Sequence, residues 1–182
     1  MQEIDVFASE LFEEAKRFLE KAKEPCDGDG KRAFLHTALL LGICSLEAHI
    51  NSICDEMSER KGLNLLDLSI LQEKEINFEQ GEYKLTARLK IYNLIDRIAY
   101  LERHFGVKGK HLDRTASWWS KLNEGIELRN SLVHPKAKRD ITYEQVERAF
   151  DGILSLLDSL YMVIYEKRFP ALGRGLNSRM GF

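Results

Sequence analysis

The sequence predicts an all-α protein, a bundle of four to five helices with a long loop or a short extra helix between the second and third main ones. Three observations predict it. Apolar residues recur at three- and four-residue intervals over long stretches, which is the spacing of one helix face. Only 3 prolines occur in 182 residues, so little breaks those stretches. Val/Thr-rich alternating runs, the mark of half-buried strands, are almost absent.

The first helix spans 2–23, with Val6, Phe7, Leu11, Phe12, Ala15, Phe18, Leu19 and Ala22 as its apolar stripe. Pro25 and Gly28-Asp29-Gly30 end it. The second runs from about Lys31 to Arg60 on Leu35, Leu39, Ile43, Leu46, Ile50, Cys54 and Met57, and Gly62 stops it. Asn64 can cap a short helix reaching about Glu73. Ile76–Leu85, with Gly81 near its middle, is then a loop or a small hairpin. The third main helix is expected from about Leu85 to Phe105, closed by Gly106. A basic loop with Lys108, Lys110, His111 and Arg114 leads to a helix from Ser117 to His134. Pro135 ends that helix, because it disfavours helical backbone in the residue before it. The last helix starts at Thr142 with Gln145 as its capping-box partner, flanked by Ile141 and Val146 as a hydrophobic staple. It is expected to reach Phe169. Residues 1–169 make one helical domain of ordinary size, and 170–182 a loosely ordered tail.

Composition narrows the function classes. Hydrophobic residues make up 44% and charged residues 31%, an ordinary soluble balance. A net charge of −2 argues against a protein held on nucleic acid by bulk charge, while leaving room for a local basic patch. Cys26, Cys44 and Cys54 are odd in number and form no CxxC pair, which reads as reduced thiols in a cytoplasmic protein. Cys44 and Cys54 fall on or near the apolar side of the second helix. No signal peptide is visible, and the longest apolar run, around Ala38–Cys44, is too short to span a bilayer. No membrane association is expected.

The chemistry concentrates in Arg129-Asn130-Ser131-Leu132-Val133-His134-Pro135. Trp118, Trp119, Leu122, Ile126, Leu128, Leu132 and Val133 make a broad apolar arc, and Arg129 falls inside it. A guanidinium there needs a carboxylate, a phosphate or a subunit interface. Glu47 is the expected partner, with Asn51 one turn on, and Asp96 is the second choice. Asn123, Glu127, Asn130 and His134 form a polar stripe. Asn130 and His134 are four apart, so they share one face. Histidine at that place can exchange protons near neutral pH. Lys136, Lys138 and Arg139 follow directly and can hold flanking phosphates or form a solvated loop. Trp118 and Trp119 can stack on bases or pack in the core. His36, His49, His104 and His111 have no metal-ligand spacing, and neither HExxH nor a glycine-rich phosphate loop is present. No cofactor is expected.

The run RNSLVHP at the end of an amphipathic helix resembles the HEPN superfamily, four-helix bundles with an Arg-x(4–6)-His motif and a polar residue after the Arg. Ser45-Leu46-Glu47-Ala48-His49-Ile50-Asn51 is similar to the second helix of bacterial members. The resemblance covers residues 1–169. It implies a metal-independent endoribonuclease that works as a homodimer, with two motifs meeting in a composite cleft. His134 would be the general base or acid on the ribose 2′-hydroxyl. Arg129 would stabilise charge on the phosphorus centre, and Asn130 would position the phosphate or His134. Products would be a cyclic phosphate and a 5′-hydroxyl, in a defence or toxin–antitoxin setting with an antitoxin or other protein partner. Lys136 stands where some toxin members carry tyrosine, a departure from that subfamily. The alternative is a non-catalytic HEPN-like module that binds a protein partner or a nucleotide.

Overall fold

Helix 2 of the chain organises everything else. The computed structural model describes residues 3–25 and 27–181; Cys26 lies outside the described residues. Six α-helices and one hairpin are found there: α1 Glu3–Lys21, α2 Gly28–Ser58, α3 Leu65–Gln72, β1 Lys74–Glu79, β2 Glu82–Leu89, α4 Leu94–Phe105, α5 Ser117–Val133 and α6 Tyr143–Tyr165, followed by a 3-10 turn at Leu172–Arg174. α2 touches all five of the other α-helices. Its length and composition would suffice to cross a membrane, yet half of its most apolar window is buried here against its neighbours. The core gathers Leu39, Ile43, Leu46 and Ile50 of α2 with Phe150, Ile153 and Leu157 of α6 and Leu122 and Leu128 of α5.

Local chemistry sets the helix ends. Asp27 accepts a hydrogen bond from the Gly30 amide at 2.6 Å, so α2 starts three residues before the expected Lys31. Asn64 and Asp67 close a reciprocal capping box on α3, and Thr142 and Gln145 do the same on α6. α6 stops at Tyr165, not Phe169, because Glu166 turns left-handed with φ 57°. Phe169 then folds back, buried beside His49 and Tyr161.

The largest departure lies at 74–93. The helix expected from Leu85 begins at Leu94, capped by Asn93, and β2 occupies the residues before it. Leu85, Leu89 and Tyr92 fit the three- and four-residue spacing of a helix, but Tyr83, Leu85, Leu89 and Ile91 fit a two-residue one as well. The turn decides between them. Gln80 and Gly81 both have positive φ, 53° and 85°, the backbone of a tight two-residue hairpin turn. Pairing sets Phe78 opposite Tyr83 and Ile76 opposite Leu85, with a bulge between Lys74 and Ile76. The hairpin base is clamped to helices. Ser69 Oγ donates to the Lys74 carbonyl at 2.5 Å and meets the Tyr92 hydroxyl at 2.8 Å. Lys90 N donates to the Glu73 carbonyl at 2.8 Å.

Two further expectations, at the start of α1 and at Cys44, need correction. Val6 and Phe7 open α1 on the solvent side, with Phe7 55% exposed, because the face that meets the neighbours carries Asp5, Ala8, Phe12 and Ala15 instead. Cys44 is exposed, whereas Cys54 is buried. Residues beyond 170 are held against α1: Ser178 N donates to Glu20 Oε1 at 2.7 Å, and Ser178 Oγ to the Glu13 carbonyl at 2.9 Å.

α5, which carries the motif, is seated on α6 at very short range. A Cβ on Gly152 would lie 2.6 Å from the backbone nitrogen of Leu122, and one on Gly125 would lie 2.6 Å from the Ala149 Cβ. Two glycines therefore let the backbones approach where side chains would hold them apart. This seam fixes the rotation of α5 and so the directions in which Arg129, Asn130 and His134 project.

Candidate functional site

Arg129 stands beside Glu47 of α2, its NH2 group donating to Glu47 Oε1. The expected pairing is present, and Asp96 is not the partner; it sits exposed in the first turn of α4. The arginine is only partly sheltered. Its side chain is 22% exposed and that of Glu47 41%. The arc expected to bury it is open, because Val133 is 48% exposed and Ile126 half-buried.

Both residues line a groove of about 550 Å³ between α2, α4, α5 and the hairpin exit. Ile91 and Leu89 rim it and are largely exposed, at 85% and 77%. Tyr92, Asn93 and Asn130 complete the wall nearest the motif.

Asn51, expected to support Glu47, lines the groove but turns to another arginine. Arg97 of α4 donates to Asn51 Oδ1 at 2.7 Å, pairs with Glu73 Oε2 at 3.1 Å and reaches the Leu71 carbonyl at 3.4 Å. Arg97 is 4% exposed, so this charge survives in the interior only because three acceptors surround it. Glu73 also accepts the Tyr92 amide at 3.1 Å. Arg97 was legible: it shares the apolar face of α4 with Leu94, Ile98 and Leu101, as Arg129 shares that of α5.

His134 caps α5. Its amide donates to the Asn130 carbonyl at 2.9 Å, and its own backbone leaves the helix at φ −125°, ψ 65°, as the following proline requires. The side chain is exposed. It lines a second, open groove of about 680 Å³ with Asn130, Lys136, Lys138 and Arg139. Arg129 is absent from that lining. Five residues of α-helix turn the chain by about 500°, so Arg129 and His134 project about 140° apart. Asn130 is the one motif residue that faces both grooves.

Lys136, Lys138 and Arg139 are exposed. Among the described residues none of the three enters an ion pair, although Lys121 and Arg129 of α5 and Arg148 of α6 all do. The polar stripe is otherwise spent differently from the expectation: Asn123 donates to the Trp119 carbonyl at 2.9 Å. Trp118 and Trp119 meet edge to face at 5.6 Å and pack half-buried against the core. Among the described residues, no group of three or more His, Cys, Asp or Glu side chains could hold a metal ion.

Within the chain, then, the guanidinium is held by a carboxylate on one side of Asn130 and the imidazole lies on the other. The guanidinium uses one edge for Glu47 and keeps further N–H donors for a phosphate. Comparison with family models, curated proteins and solved structures returned no match.

Proposed function

We propose that this protein is an endoribonuclease of HEPN type, cleaving RNA by attack of a 2′-hydroxyl at a site shared between two copies. The observation that carries the reading is the pair of grooves meeting at Asn130, one holding an oriented guanidinium and the other an exposed imidazole among unpaired cations. In the reaction the O2′–P bond forms and the P–O5′ bond breaks. His134 takes the 2′-hydroxyl proton or supplies one to the leaving O5′. Arg129 neutralises charge on the non-bridging oxygens as it develops. Asn130 fixes the phosphate between them. The Arg129 and His134 directions favour a composite site, since a second motif related by two-fold symmetry brings an Arg129 from one copy toward a His134 from the other. The expected setting is cytoplasmic, in defence or a toxin–antitoxin pair.

The direct test incubates the protein with mixed RNA in excess chelator, beside His134→Ala and Arg129→Ala. Cleavage by the parent that both variants lose supports the enzyme. A well-folded dimer that leaves RNA intact sinks it.

One observation favours the second reading, a non-catalytic module that binds a protein partner. Phe78 and Tyr83 are 62% and 66% exposed on the hairpin, and such rings suit a partner surface.

A further inference from the structure

Behind the motif loop lies a pocket of about 240 Å³ that α2 and the segment after Pro135 enclose. Arg32 and His36 come from α2; Lys138, Arg139, Ser131 and Pro135 come from the motif side. No carboxylate lines it. It shares Ser131, Ala137, Lys138 and Arg139 with the groove of His134, so the two adjoin.

We propose that this pocket is a second phosphate site, in which Arg32, Lys138 and Arg139 hold the anion beside the His36 ring. Three observations carry it. The cation density is out of keeping with a chain of net charge −2. Lys138 and Arg139 have no ion-pair partner among the described residues, and Arg32 has only the highly exposed Asp29, at 2.9 Å. An exposed pair of that kind is worth at most about 1 kcal/mol, so an anion displaces it at little cost. Finally, no carboxylate in the lining competes for those cations. Burial, with the Arg32 charge beside it, holds His36 below the ordinary imidazole range, while Asp140 draws it the other way. An arriving phosphate places negative charge beside the ring and favours its protonated form.

The site takes a phosphate group, either an internal phosphodiester of the bound strand or a terminal monoester. Its assignment to RNA rests on the ribonuclease reading, but the binding itself does not. The test therefore measures binding. The full chain, Arg32→Gln, His36→Gln and Lys138→Gln/Arg139→Gln are titrated with a 2′-O-methyl oligonucleotide that cannot be cleaved, carrying a 5′-phosphate or a 5′-hydroxyl. Arg32→Gln is expected to weaken binding about tenfold at low salt. It should also reduce the slope of log K against log salt by about 0.7, the share of one single-strand phosphate. Arg32 is only half-buried, so this variant folds even where His36→Gln does not. Inorganic phosphate should move the His36 ring-proton resonance of the parent. A preference for the 5′-phosphorylated oligomer identifies a terminal monoester, and equal affinity an internal phosphate. Unchanged affinity and slope in Arg32→Gln, or a His36 resonance that phosphate leaves in place, overturns the proposal. A parent that binds through Arg32 yet never cleaves RNA would retire the ribonuclease and leave the phosphate pocket standing.

Discussion

Glu47→Ala separates positioning from stability at the motif. The Glu47–Arg129 pair is partly in water, with side-chain exposures of 41% and 22%. An ion pair in that setting contributes about 0.2–1 kcal/mol. Removing Glu47 strands no buried charge, since Arg129 still reaches solvent. For a chain of this length about 1 kcal/mol corresponds to about 2–4 °C in melting temperature, so Glu47→Ala should lower Tm by less than about 4 °C. Its effect on cleavage should be far larger. The guanidinium loses the one partner that fixes its edge, and a misplacement of about 1 Å costs on the order of 100-fold in rate. We expect kcat/KM to fall by about 10- to 100-fold, with Glu47→Gln, which keeps an acceptor oxygen, in between. Circular-dichroism melts and a fluorogenic RNA in chelator read the two quantities on the same samples. Glu73→Ala is the calibrating control. It removes the carboxylate from Arg97, which is 4% exposed, and stranding a buried charge costs about 3–5 kcal/mol. Two arginine–glutamate pairs thus predict opposite profiles. The reasoning is refuted if Glu47→Ala cleaves like the parent, or if it destabilises the fold as much as Glu73→Ala does.

Three other outcomes follow from the packing. Gly152→Ala places a methyl against the Leu122 backbone, which cannot yield as a side-chain tip would. A cost of about 1–3 kcal/mol is expected, and an unchanged denaturant midpoint would contradict the close seam. His49 is buried, its Nδ1 lies 3.4 Å from Asp5 Oδ1 without a good hydrogen bond, and burial holds it below the ordinary imidazole value despite Asp5. The unfolded chain therefore binds a proton that the native state resists, and native stability falls as pH drops below about 6.5. His49→Gln should lose less Tm than the parent between pH 7.5 and pH 5; equal losses would refute the assignment. Phe78 and Tyr83 pair across the hairpin at 4.9 Å, a contact worth about 0.2–1 kcal/mol. Tyr83→Ala should leave Tm nearly unmoved while speeding proteolysis near Gln80-Gly81, and an unaltered cleavage rate there would count against it.

Where the sequence misled, two periodicities or two partners were compatible with the same residues. α5 and the start of α6 were legible almost to the residue, because Pro135 and the Thr142–Gln145 box are unambiguous signals. The Glu47–Arg129 pair was legible because a charge inside an apolar arc must be matched. The strand at 82–89 was not, because Leu85, Leu89 and Tyr92 satisfy a helix as well as a strand until the left-handed Gln80-Gly81 turn is taken into account. The opening of the arc around Val133 could not be read from one helix, since it depends on which neighbours the bundle leaves out. Arg32 and His36 lie about a hundred residues from the motif, and only the return of α5 beside α2 brings them to it.

The glycine seam between α5 and α6 has a kinetic meaning. It holds α5 in one rotation, and the helix itself keeps Arg129 and His134 about 140° apart on its surface. On the composite site proposed above, chemistry that needs both comes from the encounter of two chains. Turnover per molecule would then fall on dilution and recover on concentration, which makes the abundance of the protein itself the control on its activity.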